Sequence, residues 1–239
     1  MWSWDAFFSF LTNPQLVQGA WTTIWLTTVS MALALPLAVL VALGRASRIA
    51  PVRAVTGFYV WLMRGTPLLV QLVIIYTGLP QLGLRLGVIS AALTGLVLNE
   101  AAYLSEIVRA GVMSVPRGQS EAARALGMPP WKVFRVVVMP QALRVMVPPL
   151  GNSFNGLLKT TTLVSVISVE ELLRRTQFAV QTNFRVLEGL TAAALYYLAM
   201  TTLWGLVQRW LEIRVGRGHE NRPSSSRRMK SAVLELETR

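Results

Sequence analysis

The stretch "VQGAWTTIWLTTVSMALALPLAVLVAL", from Val17 to Leu43, contains no charged side chain. It lies inside a longer charge-free run between Asp5 and Arg45. A helix needs about 20 mostly apolar residues to cross the hydrocarbon core of a bilayer. This stretch therefore predicts a membrane-spanning helix, and it places the chain outside the class of soluble globular domains.

Similar apolar runs follow it along the chain. Only Arg64 interrupts the run from Ala54 to Leu84, and no charge lies between Glu188 and Arg209. The 239-residue chain is 53% hydrophobic and 14% charged, whereas about 25% of an average soluble domain is charged. We therefore predict an all-α integral membrane protein with about five spans: Val17–Leu43, Val55–Leu82, Gly87–Ala110, Leu143–Leu158 (with a broken continuation to Leu172) and Leu187–Leu211.

The regions outside the spans divide the chain into three parts. Residues 1–16 are rich in Trp and Phe and predict an interfacial helix at the first membrane face. Residues 17–214 form the predicted transmembrane domain, with a loop at about 112–140. Residues 215–239 are polar and basic, which predicts a disordered tail.

The 23 basic residues give a net charge of +12, and most of them lie in three segments: 45–53, 109–144 and 209–239. Because these segments alternate with the spans, the lipid bilayer rather than nucleic acid is the expected partner. The positive-inside rule places the N-terminus outside and the C-terminus in the cytoplasm. The absence of cysteine excludes disulfides and thiolate metal sites.

Charged side chains inside spans are costly and usually face a cavity or a partner. Glu106 and Arg109 are three residues apart, which predicts an ion pair on one helix face. Glu100 has no such neighbour. It could contact the ammonium group of an amino acid, or it could pair with Arg64 or Lys159 across the bundle.

Further polar residues accompany these charges in the spans. Arg64 precedes Pro67, so its guanidinium could hold a carboxylate or bond the carbonyls that the proline leaves free. Threonine, glutamine and asparagine side chains could line a polar path or tie helices together. The candidate path residues are Arg64, Thr66, Gln71, Asn99, Glu100 and Lys159.

The loop after the third predicted span reads "EAARALGMPPWKVFRVVVMP", from Glu121 to Pro140. Ser120 is predicted to cap a short helix that Gly127 ends in the left-handed conformation. Pro130 suits the first turn of a second helix. Small side chains on the first helix would let another protein approach closely, so we predict a docking element on the cytoplasmic side.

This loop resembles the "EAA" loop of permease subunits of bacterial ATP-binding-cassette (ABC) importers. The matching residues are Glu121, Ala122, Ala123, Gly127, Val137, Met139 and Pro140. Four other stretches resemble the narrower group of polar amino-acid permeases: "GAWTTIWLT" at 19–27, "RGTPLLVQL" at 64–72, "VPPLGNSF" at 147–154 and "LLKTTTLVSVISVEEL" at 157–172. In the last of these, Thr160 replaces the usual aspartate.

The resemblance implies a type I ABC importer permease with a cytoplasmic coupling helix. That helix would dock on the ATPase through Glu121, Ala122, Ala123, Arg124, Ala125, Leu126 and Gly127. It also implies three partners: a dimer of cytoplasmic ATPases that uses ATP and Mg²⁺, a second permease subunit, and an extracytoplasmic amino-acid-binding protein. The expected location is the bacterial inner or plasma membrane.

Three other classes of protein are weighed against this one. "GLLKTTT" at 156–162 lacks the second glycine of a phosphate-binding loop, so no cofactor or nucleotide site is expected on this chain. A membrane enzyme would need a catalytic cluster, which a single histidine and no cysteine do not supply. A secondary amino-acid transporter or a channel that works without an ATPase is an alternative, although it leaves the docking helix unexplained. A membrane scaffold without transport activity is another, although it does not need Glu100 or Arg64 in the spans.

Overall fold

The structure is a computed structural model that describes residues 2–216. Throughout that part of the chain the regular elements are helical. The predicted tail lies outside the described residues from position 217 onward, as does its histidine, His219.

Ten α-helices make up the described part of the chain, some of them extended by π or 3₁₀ turns. They are α1 (Trp4–Leu11), α2 (Pro14–Arg45), α3 (Ala50–Gly65), α4 (Leu68–Val73), α5 (Val88–Met113), α6 (Arg117–Ala125), α7 (Pro130–Lys132), α8 (Met139–Thr160), α9 (Leu172–Asn183) and α10 (Val186–Gly216).

Four stretches between residues 2 and 216 are long and apolar enough to cross a membrane: α2, α5, α10 and the segment Pro130–Ile167. Helix α3 and the segment Leu68–Leu82, which follows it after a bend of 106°, are long and apolar enough only as a pair, and they count as a fifth candidate if the pair is one broken span. The predicted all-helical membrane fold is therefore confirmed. The predicted second span, Val55–Leu82, is bent at Pro67, because Pro67 has no amide hydrogen and Thr66 before it is extended (φ −119°, ψ 145°).

The loop between α5 and α8 also differs from its prediction. Helix α6 begins at Arg117, directly after Pro116, so Ser120 lies within the helix and does not cap it. Pro130 does occupy the first turn of a helix. That helix continues through a π-helical turn, Val133–Val138, into α8, so the predicted separate second helix is the start of the fourth crossing.

Helices α2 and α5 form the centre of the bundle. Small side chains, among them Ala34, Ala38 and Ala101, are fully buried where the two helices meet, which lets the backbones approach closely. Near the start of α2, a methyl group added to Gly19 would lie 2.8 Å from the Cα of Leu172 on α9. Only glycine fits at this crossing.

Helix α9 is held at its start by a buried carboxylate. Glu171 accepts hydrogen bonds from the amides of Leu173 and Arg174 and from the hydroxyl of Tyr197 on α10, the last at 2.7 Å. Burial raises the pKa of the Glu171 carboxyl, and these hydrogen bonds offset that effect only in part. No pattern in the sequence distinguishes this carboxylate from its neighbour Glu170.

Helix α1 packs against α10. The Ser3 amide donates to Oε1 of Glu188 at 2.9 Å, and the Tyr196 hydroxyl donates to the Leu11 carbonyl at 2.7 Å. Phe7 and Phe10 are buried in this contact. The interfacial role of residues 1–16 stays a prediction.

Candidate functional site

The break between α3 and α4 is held by amide side chains. Because Pro67 cannot donate to the carbonyl of Met63, that carbonyl needs another partner in the apolar interior. It accepts from Nε2 of Gln71 at 2.9 Å and from Nδ2 of Asn99 at 3.0 Å. Asn99 also donates to Oε1 of Gln71 at 3.0 Å, and Gln71 donates to the carbonyl of Thr66 at 3.1 Å. The bend is therefore fixed by α5.

A cavity of about 590 Å³ lies beside this break. Its walls come from the end of α3, the start of α4, the middle of α5 and the second half of α8. Four of the predicted path residues line it. The lining residues are Arg64, Gly65, Thr66, Pro67, Leu68, Asn99, Glu100, Tyr103, Ser153, Gly156, Leu157 and Thr160.

The other two predicted path residues lie elsewhere. Gln71 is buried behind the cavity wall, where its side chain serves the helix break. Lys159 is exposed on α8 and is not among the lining residues, although its neighbour Thr160 is.

Glu100 carries the least satisfied polar group of the cavity. Its Oε1 atom is buried and has no hydrogen-bond partner within residues 2–216. In the same part of the chain it forms no ion pair with Arg64 or Lys159, so the cross-bundle pairing considered for it is not observed. Buried polar atoms are nearly always hydrogen-bonded in folded proteins. This oxygen atom is therefore available to a ligand in the cavity.

Arg64 does not bond the carbonyls that Pro67 leaves free, because Gln71 and Asn99 already do so. Its guanidinium carbon lies 5.3 Å from the centre of the Tyr103 ring instead. This distance is within the range of a cation–π contact. The contact joins the end of α3 to α5 at the edge of the cavity.

A cluster of charges lies further along α5. Glu106 pairs with Arg109 at 2.8 Å, as predicted, and also with Arg45 at the end of α2, at 3.4 Å. A second pocket, of about 410 Å³, lies here, and it is lined by Arg45, Gly57, Val60, Trp61, Arg64, Gly65, Tyr103 and Glu106.

Helix α6 projects as a short knob next to this charged end of the bundle. Gly127 adopts φ +81°, its amide donates to the Arg124 carbonyl, and the Met128 amide donates to the Ala123 carbonyl. These two hydrogen bonds form a Schellman motif that ends the helix. The left-handed conformation predicted for Gly127 is confirmed.

One residue anchors the knob while the others remain accessible. Ala123 is buried against Val133 and Val138, and Leu126 is 81% exposed. The remaining predicted docking residues are also exposed: Glu121, Ala122, Arg124, Ala125 and Gly127.

Three polar residues that line the cavity were not predicted as part of the path: Tyr103, Ser153 and Thr160. Tyr103 could have been found, because it follows Glu100 by three residues and therefore lies on the same face of α5. Ser153 and Thr160 lie in the quoted stretches of α8, but nothing in their local sequence indicates which side of that helix faces α5.

Comparison with known proteins identifies relatives over most of the chain. Residues 7–217 match the family described as "Binding-protein-dependent transport system inner membrane component". The L-cystine transport system permease protein TcyB of Bacillus subtilis (strain 168) is 42% identical over 85% of this chain and 88% of its own length. The glutamine transport system permease protein GlnP of Escherichia coli (strain K12) is 37% identical over 84% of this chain and 93% of its own.

A solved structure gives the same result for the fold. It is described as the crystal structure of an amino acid ABC transporter with histidines, and it superposes with a TM-score of 0.80 at 36% sequence identity. The match covers 84% of this chain and 94% of that chain.

Proposed function

Because the chain belongs to the family of binding-protein-dependent transport system inner membrane components and is a permease of the amino-acid ABC importers, we propose that it is the transmembrane subunit that translocates a polar amino acid. An extracytoplasmic binding protein delivers this amino acid. A separate cytoplasmic ATPase dimer supplies the energy by hydrolysing ATP with Mg²⁺. The chain itself binds no cofactor and crosses the inner membrane with its N-terminus outside.

The single observation that carries the coupling is the shape of α6. A nine-residue helix is not stable alone, yet this one is fixed by a Schellman turn and one buried alanine. Leu126 stands at its tip with 81% of its surface exposed. An apolar residue on a rigid projection suits a groove on a partner protein. We assign Glu121 to Gly127 as the segment that docks on the ATPase.

The second permease subunit covers the open side of the cavity. Arg64 and Lys159 are exposed there, and a methyl group added to Gly65 or Gly156 would meet nothing within 4 Å. Charged side chains facing lipid in the middle of a membrane are costly. A second copy of this chain, or a homologous chain, removes that cost by burying them in a shared path.

Within the path, Glu100 and Arg64 supply the charges that an amino acid needs. The buried Glu100 carboxylate accepts from the ammonium group, and the Arg64 guanidinium donates to the carboxylate. Thr66 and Asn99 add polar atoms between them, and Lys159 lies at the edge. Gln71 keeps the helix break in shape and does not contact the substrate.

The test is an affinity purification of the chain from its native membrane, followed by mass spectrometry of the proteins that accompany it. We expect an ATPase and either one or two kinds of permease chain. Leu126→Asp should remove the ATPase. Leu82→Asp is the matched control, because Leu82 is 78% exposed and lies in the loop between α4 and α5, away from α6; it should retain the ATPase.

A different outcome would replace this proposal. A chain that purifies alone and transports an amino acid in vesicles without ATP would be a secondary transporter. Equal ATPase recovery with both aspartate variants would remove α6 from the docking surface.

A further inference from the structure

The two cavities of the bundle share one wall. Arg64, Gly65 and Tyr103 line both the 590 Å³ cavity beside the helix break and the 410 Å³ pocket near Glu106. Glu100 lines only the first, and Arg45, Trp61 and Glu106 line only the second. The second pocket is lined by Arg45 at the end of α2, by residues of α3 and by Tyr103 and Glu106 of α5. It lies toward the end of the bundle that carries α6, because Glu106 is nearer than Glu100 to the end of α5 at Met113.

The side chains of the shared wall separate the two cavities. Tyr103 lies three residues after Glu100 and three before Glu106, so its side chain is next to each of them on α5, and the series turns by about 120° around the helix from Glu100 to Glu106. With a rise of about 1.5 Å per residue, the two carboxylates are about 9 Å apart along the helix. The Arg64 guanidinium lies over the Tyr103 ring between them, 5.3 Å from its centre.

We propose that Arg64 and Tyr103 form a gate that closes the translocation path on the side of the knob. This inference rests on the proposed function, since it takes the first cavity as part of the path and the second subunit as its lateral cover. In this gate the Arg64 guanidinium leaves the Tyr103 ring on opening, and the two cavities join through the wall that they share.

The Arg64 guanidinium loses few interactions when it moves away from the ring. Within residues 2–216 it forms no ion pair, whereas Arg45 and Arg109 both pair with Glu106. It lies at the end of α3, next to Gly65, where an added methyl group would meet nothing within 4 Å. A cation–π contact at an exposed site is weaker than a bidentate pair with a carboxylate. The gate is therefore held by a contact that a neighbouring carboxylate can replace.

The test uses the fact that the chain has no cysteine. Thr160→Cys places one thiol in the first cavity, at a residue that does not line the second. A membrane-impermeant maleimide is added to inside-out vesicles that contain the full-length chain with its native partners, and labelling of this chain is followed over time. The labelling rate reports access from the side of α6 and does not depend on transport.

We expect slow labelling when Arg64 and Tyr103 are intact and labelling at least tenfold faster with Tyr103→Leu or Arg64→Gln. Tyr103→Phe keeps the aromatic face and should label at the parent rate. Tyr59→Leu is the control for general loosening. Tyr59 also joins α3 to α5, through a hydrogen bond to the Leu98 carbonyl, but it lines neither cavity.

Two results would overturn the gate. One is the parent labelling rate in both Tyr103→Leu and Arg64→Gln. The other is equal acceleration by Tyr59→Leu, which would mean that any weakening between α3 and α5 opens the cavity. Faster labelling in the gate variants of a chain that purifies without an ATPase would keep the gate and reject the importer, so the two proposals fail separately.

Discussion

Glu100 combines two properties that rarely occur together in a membrane span: one of its oxygens is buried, and that oxygen has no partner within the described residues. Such an atom costs free energy in the empty protein, because burial removes water and supplies no replacement. A ligand that donates hydrogen bonds removes this cost. The buried Glu100 oxygen without a hydrogen-bond partner is therefore the feature that marks this cavity as a binding site.

Replacing Glu100 with glutamine should weaken the handling of the substrate. The change keeps the size of the side chain and removes its charge. Hydrogen bonds to charged groups contribute about 1.5–3 kcal/mol, so we expect the apparent KM to rise about 10- to 100-fold. The measurement is initial-rate uptake of labelled amino acid into proteoliposomes that contain the complete transporter.

Glu170→Gln is the matched control for this prediction, because Glu170 is an exposed carboxylate that pairs with Arg175. Its variant should keep the parent KM. An unchanged KM with Glu100→Gln would leave that residue with a structural role only.

The sequence was sufficient to identify the charged residues of the cavity, but it identified only one of the contacts made by charged residues in the spans. Glu106 and Arg109 could be paired because helix geometry alone brings residues three apart together. The task assigned to Arg64, bonding the carbonyls near Pro67, is performed by Gln71 and by Asn99, which lies 36 positions after Met63. Contacts of that range depend on how α5 lies against the break, and local patterns do not contain that information.

At the scale of the element, the backbone conformation of Gly127 determines how α6 ends, and α6 is the helix proposed to dock on the ATPase. The φ of Gly127, +81°, lies in the left-handed region, which residues with a side chain rarely adopt. Valine there would cost about 1–2 kcal/mol in the left-handed conformation. The Schellman turn would shift, and with it the position of Leu126.

We therefore expect Gly127→Val to separate ATP hydrolysis from uptake while the bundle stays folded. The measurement is ATPase activity and amino-acid uptake by the same reconstituted preparation. Gly118→Val is the control, because Gly118 lies on the same helix outside the left-handed region and has open space around it. Normal uptake by Gly127→Val at normal expression would contradict the docking role of this turn.

The helix boundaries explain where element prediction succeeds. The end of α6 was predictable because a single glycine determines it. Its start was not, because Pro116 begins the helix and Ser120, a typical capping residue, lies inside it. Similarly, Pro130 marked a true helix start, but nothing in the local sequence indicated that the helix would run on into α8.

At the scale of the whole molecule, orientation is the property that the docking proposal needs most. The loop between α2 and α3 and the segment around α6 carry many of the basic residues, so the positive-inside rule predicts that both lie in the cytoplasm. The loop between α4 and α5 then faces outside. If the orientation were reversed, α6 could not reach a cytoplasmic ATPase.

Two single-cysteine variants test this arrangement. Ala46→Cys, after α2, should react with an impermeant maleimide only in inside-out vesicles. Leu84→Cys, between α4 and α5, should react only in right-side-out vesicles. Both residues are exposed, so access to the reagent is comparable. The reverse pattern would exclude coupling through α6.

The bend at Pro67 has a consequence for how the protein is made. Helix α3 has 16 residues and is about 24 Å long, and the segment Leu68–Leu82 is shorter still. Neither half alone matches the hydrocarbon core, about 30 Å thick. The Met63 carbonyl at the junction gains the Asn99 amide only when that part of α5 has left the ribosome. We therefore expect the second segment to reach its final arrangement only after α5 is made, so that the two insert together.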